Sequence, residues 1–308
     1  MREMKGYHVE HFQFEFPLLR IQGGLLDLRT ALVDDWSPIR SDAAIRRFRR
    51  LVKRMAVKNK YTDPRTWFTA MGMNYDEHYA GRFVELSERY VDRLVEFSWT
   101  AAWPFAMAEW SGWEMFWRKL KGKMGFENSR AIQMFLSWPR DFDEITRDYL
   151  AELLSSNVGE GVRTIVLHNA FEPFNPSRSL HFFDSAKCLI VDRDPRDNYV
   201  AGLWYRPTRL PVDQFIRRYR IYRQVAEHFD NHSPDILRVQ YEELVLNYDT
   251  TVGNILQFLG EDPSAHAEPR KYFDPEVSRK NVGVWKNYGN QAEIEAIRRE
   301  LKEYCRDL

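Results

Sequence analysis

Arg193 and Arg196 flank what reads as a helix start directly after an apolar run, a setting suited to holding an anion. The run Leu189-Ile190-Val191 fits a buried parallel strand. Asp194 then stands at an N-cap position, Pro195 at the first helical position, and Asp197 three residues after the cap. Guanidinium groups beside the free N–H groups of a helix start favour phosphate or sulfate, through the dipole and through charged hydrogen bonds. Two more chemically capable side chains close other apolar runs: His168 ends the segment from Thr164, and Tyr241 follows Ile236–Val239. Imidazoles titrate near neutrality, which suits removal of a hydroxyl proton, and Glu172 is a second candidate base if the turn after His168 returns it to the same crevice.

Those residues need elements to position them. From Arg163 onward, strand-like runs (Thr164–His168, Leu189–Asp192, Ile236–Val239) are separated by helical stripes: Phe215, Tyr219, Tyr222 and Phe229, then Val252, Ile255, Leu256 and Leu259 ended by Gly260, then Ile294, Ile297, Leu301 and Tyr304. Strands alternating with helices predict an α/β fold, a parallel sheet flanked by helices, with ligands at the C-terminal edge of the strands. Residues 1–160 read instead as helix-rich and aromatic. Ser41 or Asp42 is the expected cap of a helix carrying Ile45, Phe48, Val52 and Met55, with the basic residues from Arg46 to Lys60 on its other faces as a solvated surface or an attractor for an acidic acceptor. Phe83, Leu86, Tyr90, Leu94 and Phe97 mark a second helix. Trp103, Trp110, Trp113, Trp117 and Trp138 are expected to pack in the core, with a sugar-stacking surface as the alternative. No linker-like tract or repeat interrupts the 308 residues, so one domain is expected, with 1–160 as a packing and acceptor region and 161–308 as the α/β half.

Composition narrows the partners. With 45 basic and 45 acidic residues the chain exerts no net pull on nucleic acid, and steering of an anion must come from local clusters. Cys188 and Cys305 are too few and too far apart for a disulfide framework. His8 and His11 would point to opposite faces of a strand, a poor metal pair. The absence of a long apolar run and of a secretory signal predicts a cytoplasmic protein without a membrane span.

The segment Asp192-Arg193-Asp194-Pro195-Arg196-Asp197 resembles the 3′-phosphate-binding segment of sulfotransferases that use 3′-phosphoadenosine 5′-phosphosulfate (PAPS), in its bacterial R-D-P-R-D wording. Ile236-Leu237-Arg238-Val239-Gln240-Tyr241-Glu242-Glu243-Leu244 resembles that family's strand followed by Tyr-Glu-Asp/Glu-Leu, and Ser278–Asn287 its G-x-W-K-N loop. The three blocks stand in the family's order over the second half of the chain. The resemblance implies a P-loop-NTPase-like sulfotransferase fold and transfer of a sulfuryl group from PAPS to a hydroxyl or amine, releasing adenosine 3′,5′-bisphosphate (PAP), with no metal. It implies that Arg193 anchors the 3′-phosphate with help from Arg196, that Tyr241 lies against the adenine, that Ser278, Arg279, Lys280 and Gly283 form the supporting loop, and that His168 is the base. The acceptor would be a small molecule or polysaccharide, most simply a carbohydrate.

The sequence also departs from that pattern. Where the family places a Ser eight residues after the motif Arg, this chain has Ala201, followed by Gly202. Its Gly/Ser/Thr-rich loop for the 5′-phosphosulfate is not found; Leu18–Leu26 instead resembles the Gly-Leu-x-Asp-Leu segment that follows that loop, through Gly24, Leu25, Asp27 and Leu28. The expectation is therefore a fold lacking its first strand and loop, in a shortened, truncated or degenerate relative. Two other functions fit parts of the sequence: a non-catalytic nucleotide binder, and a metal-dependent glycosyltransferase using Asp192-Arg193-Asp194 as a D-x-D motif.

Overall fold

In the computed structural model, described for residues 1–11, 14–57, 73–103, 105, 109–126, 131–203, 210–229 and 233–307, the first long helix begins at a Ser-Pro pair. Helix α1 (Pro38–Ala56) has Pro38 pre-set for its first turn, and the Ser37 side chain accepts from the Arg40 N–H at 3.2 Å. This corrects the cap expected at Ser41 or Asp42. Both are buried within the helix, where Asp42 accepts from the Phe135 N–H at 3.0 Å and pairs with Arg46. Ile45, Phe48, Val52 and Met55 face the core as their spacing requires. Part of the basic face is paired: Arg46, Arg47 and Arg50 converge on Glu109 and Arg49 meets Glu88 at 2.6 Å, while Lys53 and Arg54 are exposed. Lys60 lies outside the described residues.

Helices α2 (Phe83–Leu94), α3 (Gly112–Lys123) and α4 (Phe142–Ser155) follow. The core of this region gathers Phe16, Phe48, Tyr75, Phe83, Tyr90 and Leu153 and reaches Ala170 and Phe182, so it extends beyond residue 160. Phe97 is not on α2. It opens strand β2 (Phe97–Ala101), which pairs antiparallel with β3 (Ile132–Leu136). Four of the five tryptophans expected inside, Trp103, Trp113, Trp117 and Trp138, are exposed, and Trp110 is half-buried with the Arg118 guanidinium 4.5 Å from its ring.

Among the described residues the fold is mixed α/β with small parallel sheets and no closed barrel. Strand β1 (Tyr7–Val9) runs parallel to β4 (Thr164–Val166), and β5 (Cys188–Asp192) runs parallel to β6 (Ile236–Gln240). The continuous parallel sheet expected from the alternation is thus divided into two ladders. Strand β1 precedes Gly24 and lies parallel beside β4, so a parallel strand does stand ahead of the Leu18–Leu26 segment. Tyr7-His8-Val9 is too short for alternation to mark it. The loop remains different, since Glu10 to Phe16 contains no Gly, Ser, Thr, Lys or Arg. Gly24 does hold a position only glycine allows: a Cβ there would lie 2.2 Å from the Leu18 carbonyl oxygen.

Helices α5 (Pro195–Gly202), α6 (Val212–His228), α7 (Tyr241–Leu246), α8 (Tyr248–Leu259) and α9 (Gln291–Glu300) complete the second half. Gly260 ends α8 in the left-handed region, as expected. Tyr199, Phe215, Ile216, Ile294, Ile297 and Leu301 form a second core. Both cysteines are free, and burial pushes each thiol up to about 11.

The chain start is fastened to this half. Glu3, buried, accepts from the Tyr272 and Phe273 N–H groups at 2.8 and 3.0 Å and meets His266 Nε2 at 2.6 Å. Arg163 holds Glu261 through both oxygens at 2.6 and 2.7 Å, and the Tyr7 hydroxyl donates to the same carboxylate. Burial of Glu3 would raise its carboxyl, but the bonds from His266 and the two amides outweigh it and hold the group at about 2 against an ordinary 4.5. An acid depressed in this way contributes stability that is full above about 4.5 and lost as pH falls toward 2. Chemical unfolding of wild type and Glu3→Gln should differ at pH 6 and converge across that window. A pH-independent gap would show that Glu3 does not act through its charge.

Candidate functional site at the β5 and β6 edge

Among the described residues of the second half, buried charges gather at and beside the strand-to-helix junction. Asp194 is fully buried and caps its own helix: Oδ1 accepts from the Arg196 N–H at 2.8 Å and from Arg196 Nε at 3.0 Å, while Oδ2 accepts from Arg196 and from the Arg306 N–H, at 2.7 and 2.8 Å. Two of the first-turn positions therefore offer an anion no N–H, since Pro195 has none and Asp194 takes that of Arg196. Arg196 itself is buried, its guanidinium 4.1 Å above the Trp285 ring and a donor to the Arg306 carbonyl. Its Nε and Nη2 donors face the protein.

Asp197 has a role that spacing along the helix does not suggest. It is fully buried and reaches across to the C-terminal loop, accepting from the Gly283 N–H at 2.7 Å and the Trp285 N–H at 3.1 Å. Gly283 has φ 72°, so the turn that presents its N–H to Asp197 favours glycine. Glu242 completes the set, accepting from the Asp194 N–H at 3.0 Å. Burial pushes the carboxyls of Asp197 and Glu242 above their usual range.

That framework leaves Arg193 as the cation at the edge. Its guanidinium lies 5.2 Å from the Tyr241 ring centroid and donates to the Asn281 carbonyl, and its Nε is buried without a partner. The Tyr241 hydroxyl reaches the Ser278 carbonyl at 3.5 Å. Arg193, Tyr241 and the loop from Ser278 to Gly283 thus come together, with the exposed side chains of Arg279 and Lys280 beside them. Arg279 has only a loose 3.7 Å approach to Glu276. A buried N–H without an acceptor, backed by an aromatic face and next to a loop with two exposed cations, is a setting that favours an anion.

The candidate bases lie at the end of β4. His168 Nε2 is 3.1 Å from the Glu10 carbonyl oxygen, which can only accept, so Nε2–H donates and Nδ1 keeps the free lone pair. Glu172 is engaged, with Oε2 accepting from Arg20 at 3.0 Å while Arg20 Nε donates to the Asn169 carbonyl. Arg20 is a residue the sequence analysis did not single out. One guanidinium connects the two regions: Arg238 donates to the Pro173 carbonyl at 2.7 Å and to Asp192 at 3.1 Å. The residues next to Glu172 and next to Arg193 therefore sit one side chain apart.

At the end of β1 stands Glu10, buried, with His78 Nε2 3.0 Å from one carboxylate oxygen and His8 Nε2 3.6 Å from the other. The Arg2 guanidinium donates to the Glu10 carbonyl at 3.2 Å, so this strand end gathers a buried carboxylate, two imidazoles and a guanidinium. The D-x-D arrangement is also spoken for: Asp192 is paired with Arg223 at 3.0 Å and with Arg238, and Asp194 with Arg196. Compared with family models, with curated proteins and with solved structures, the chain matches none.

Proposed function

We propose that the edge of β5 and β6 binds a 3′-phosphorylated adenosine nucleotide and that the chain uses PAPS to sulfate a hydroxyl or amine acceptor, most simply on a carbohydrate. The observation that carries this reading is Arg193: a guanidinium above the Tyr241 ring, one buried N–H unpartnered, in contact with the loop that bears Arg279 and Lys280. Arg193 and these two residues would take the 3′-phosphate, with Ser278 and Gly283 shaping the loop and the Tyr241 face available to the base. Arg196 would act through Asp194 and Trp285 rather than on the ligand. PAPS would supply an activated sulfuryl group, for which positioning and charge stabilisation carry most of the catalysis. His168, with its free Nδ1, would take the acceptor proton.

A binding-only reading is favoured by Glu10, which puts a buried carboxylate at the end of β1 where a transferred sulfuryl group would need cations or free N–H groups. Two measurements separate these readings. Calorimetric titration with PAP should give saturable binding that Arg193→Ala weakens about ten- to a hundredfold, the worth of a charged hydrogen bond. Equal affinity in wild type and variant would remove the nucleotide site. Transfer from labelled PAPS to an acceptor panel distinguishes the enzyme, which turns over, from the binder, which does not.

A further inference from the structure

Helix α3 (Gly112–Lys123) has no buried residue, although its sequence is amphipathic. Trp113, Phe116, Trp117, Leu120 and Met124 recur at helical spacing along one stripe, and Trp113, Phe116, Trp117 and Met124 are 70%, 51%, 52% and 65% exposed. Phe126, just beyond the helix, extends the apolar surface. Lys119, Lys121 and Lys123 are exposed around this stripe and carry no ion pair among the described residues. The one acid of the helix, Glu114, is held by Arg118 at 3.1 Å. A helix of this length is marginal in water unless its apolar face is covered.

We propose that α3 is an interfacial helix that seats this protein on an anionic lipid bilayer, with the Trp and Phe side chains in the headgroup region and the lysines on the lipid phosphates. Trp-rich apolar faces bordered by lysine are the composition of such helices. The same composition argues against a protein partner. Lysine is depleted from protein interfaces, and a second copy of this helix would bring uncompensated lysines against lysines. None of the helices among the described residues is long and apolar enough to cross a membrane, so the contact would be with one leaflet.

Flotation with phosphatidylcholine vesicles, with and without phosphatidylserine, tests the proposal on the full chain. Binding is expected with phosphatidylserine, falling as salt rises, with a blue shift of tryptophan emission. The combined Trp113→Ala, Phe116→Ala and Trp117→Ala variant should stay folded, because none of these side chains is buried, and should no longer float. Exchanging Lys119, Lys121 and Lys123 for Gln should weaken partitioning about a hundredfold, at roughly fivefold per lysine. Three outcomes would overturn the proposal: no flotation of wild type, equal flotation on neutral vesicles, or a solution dimer that the aromatic variant dissociates without any vesicle binding.

Discussion

Arg196→Ala is expected to destabilise the fold by about 3–5 kcal/mol, the range for removing one partner of a buried ion pair. The pair is closed on both sides: Asp194 is fully buried and Arg196 nearly so, and their contact at 2.7 Å is reinforced by the Nε bond at 3.0 Å. Without the guanidinium, the Asp194 charge would keep only N–H donors, the Arg306 carbonyl would lose its donor, and the Trp285 face would be uncovered. Denaturant unfolding gives the magnitude. Nucleotide affinity, measured well below the unfolding transition, should change less than about threefold, in contrast to the ten- to a hundredfold expected for Arg193→Ala. A companion variant, Arg196→Met with Asp194→Asn, should recover part of the loss because it removes the stranded charge along with its partner. A cost below 1 kcal/mol for Arg196→Ala, or a loss of affinity matching that of Arg193→Ala, would return Arg196 to the ligand site.

Part of this arrangement is readable from the sequence and part is not. Leu189–Asp192 as a strand, Asp194 as a cap, Pro195 at the first helical position and Gly260 as a helix stop rest on interactions within a few residues, and all of these hold. The reach of Asp197 to Gly283 and Trp285, and of Arg20 to Asn169 and Glu172, spans long stretches of chain that no local pattern encodes. Capping itself produced one of the corrections. The feature that identifies Asp194 as an N-cap also means that its carboxylate, not a ligand, takes the Arg196 N–H at the helix start. No periodicity marks strand β1, because three residues are too few to show one, and β4 pairs with it rather than extending the ladder of β5 and β6. The tryptophans of α3 misled in the opposite direction, since periodicity marks an apolar face without saying whether anything covers it.

His168→Ala is expected to lower turnover with PAPS on the order of 10²–10⁴-fold, the usual contribution of a positioned general base, while leaving PAP affinity within about twofold. The geometry makes the prediction specific to one ring nitrogen. The Glu10 carbonyl fixes Nε2 as the donor at 3.1 Å, which leaves Nδ1 as the lone pair that can accept the acceptor's proton. His168→Asn, able to keep a donor toward that carbonyl but unable to act as a base near neutral pH, should be as inactive as the alanine variant and more stable than it. Glu172→Gln provides the contrast. Its carboxylate is already committed to Arg20, so its removal should cost activity only through the position of the turn from Asn169 to Pro173, by about tenfold or less. Rates measured for the three variants at saturating PAPS decide the assignment: full turnover in His168→Asn together with loss in Glu172→Gln would move the base to Glu172 and make Arg20 the residue that tunes it.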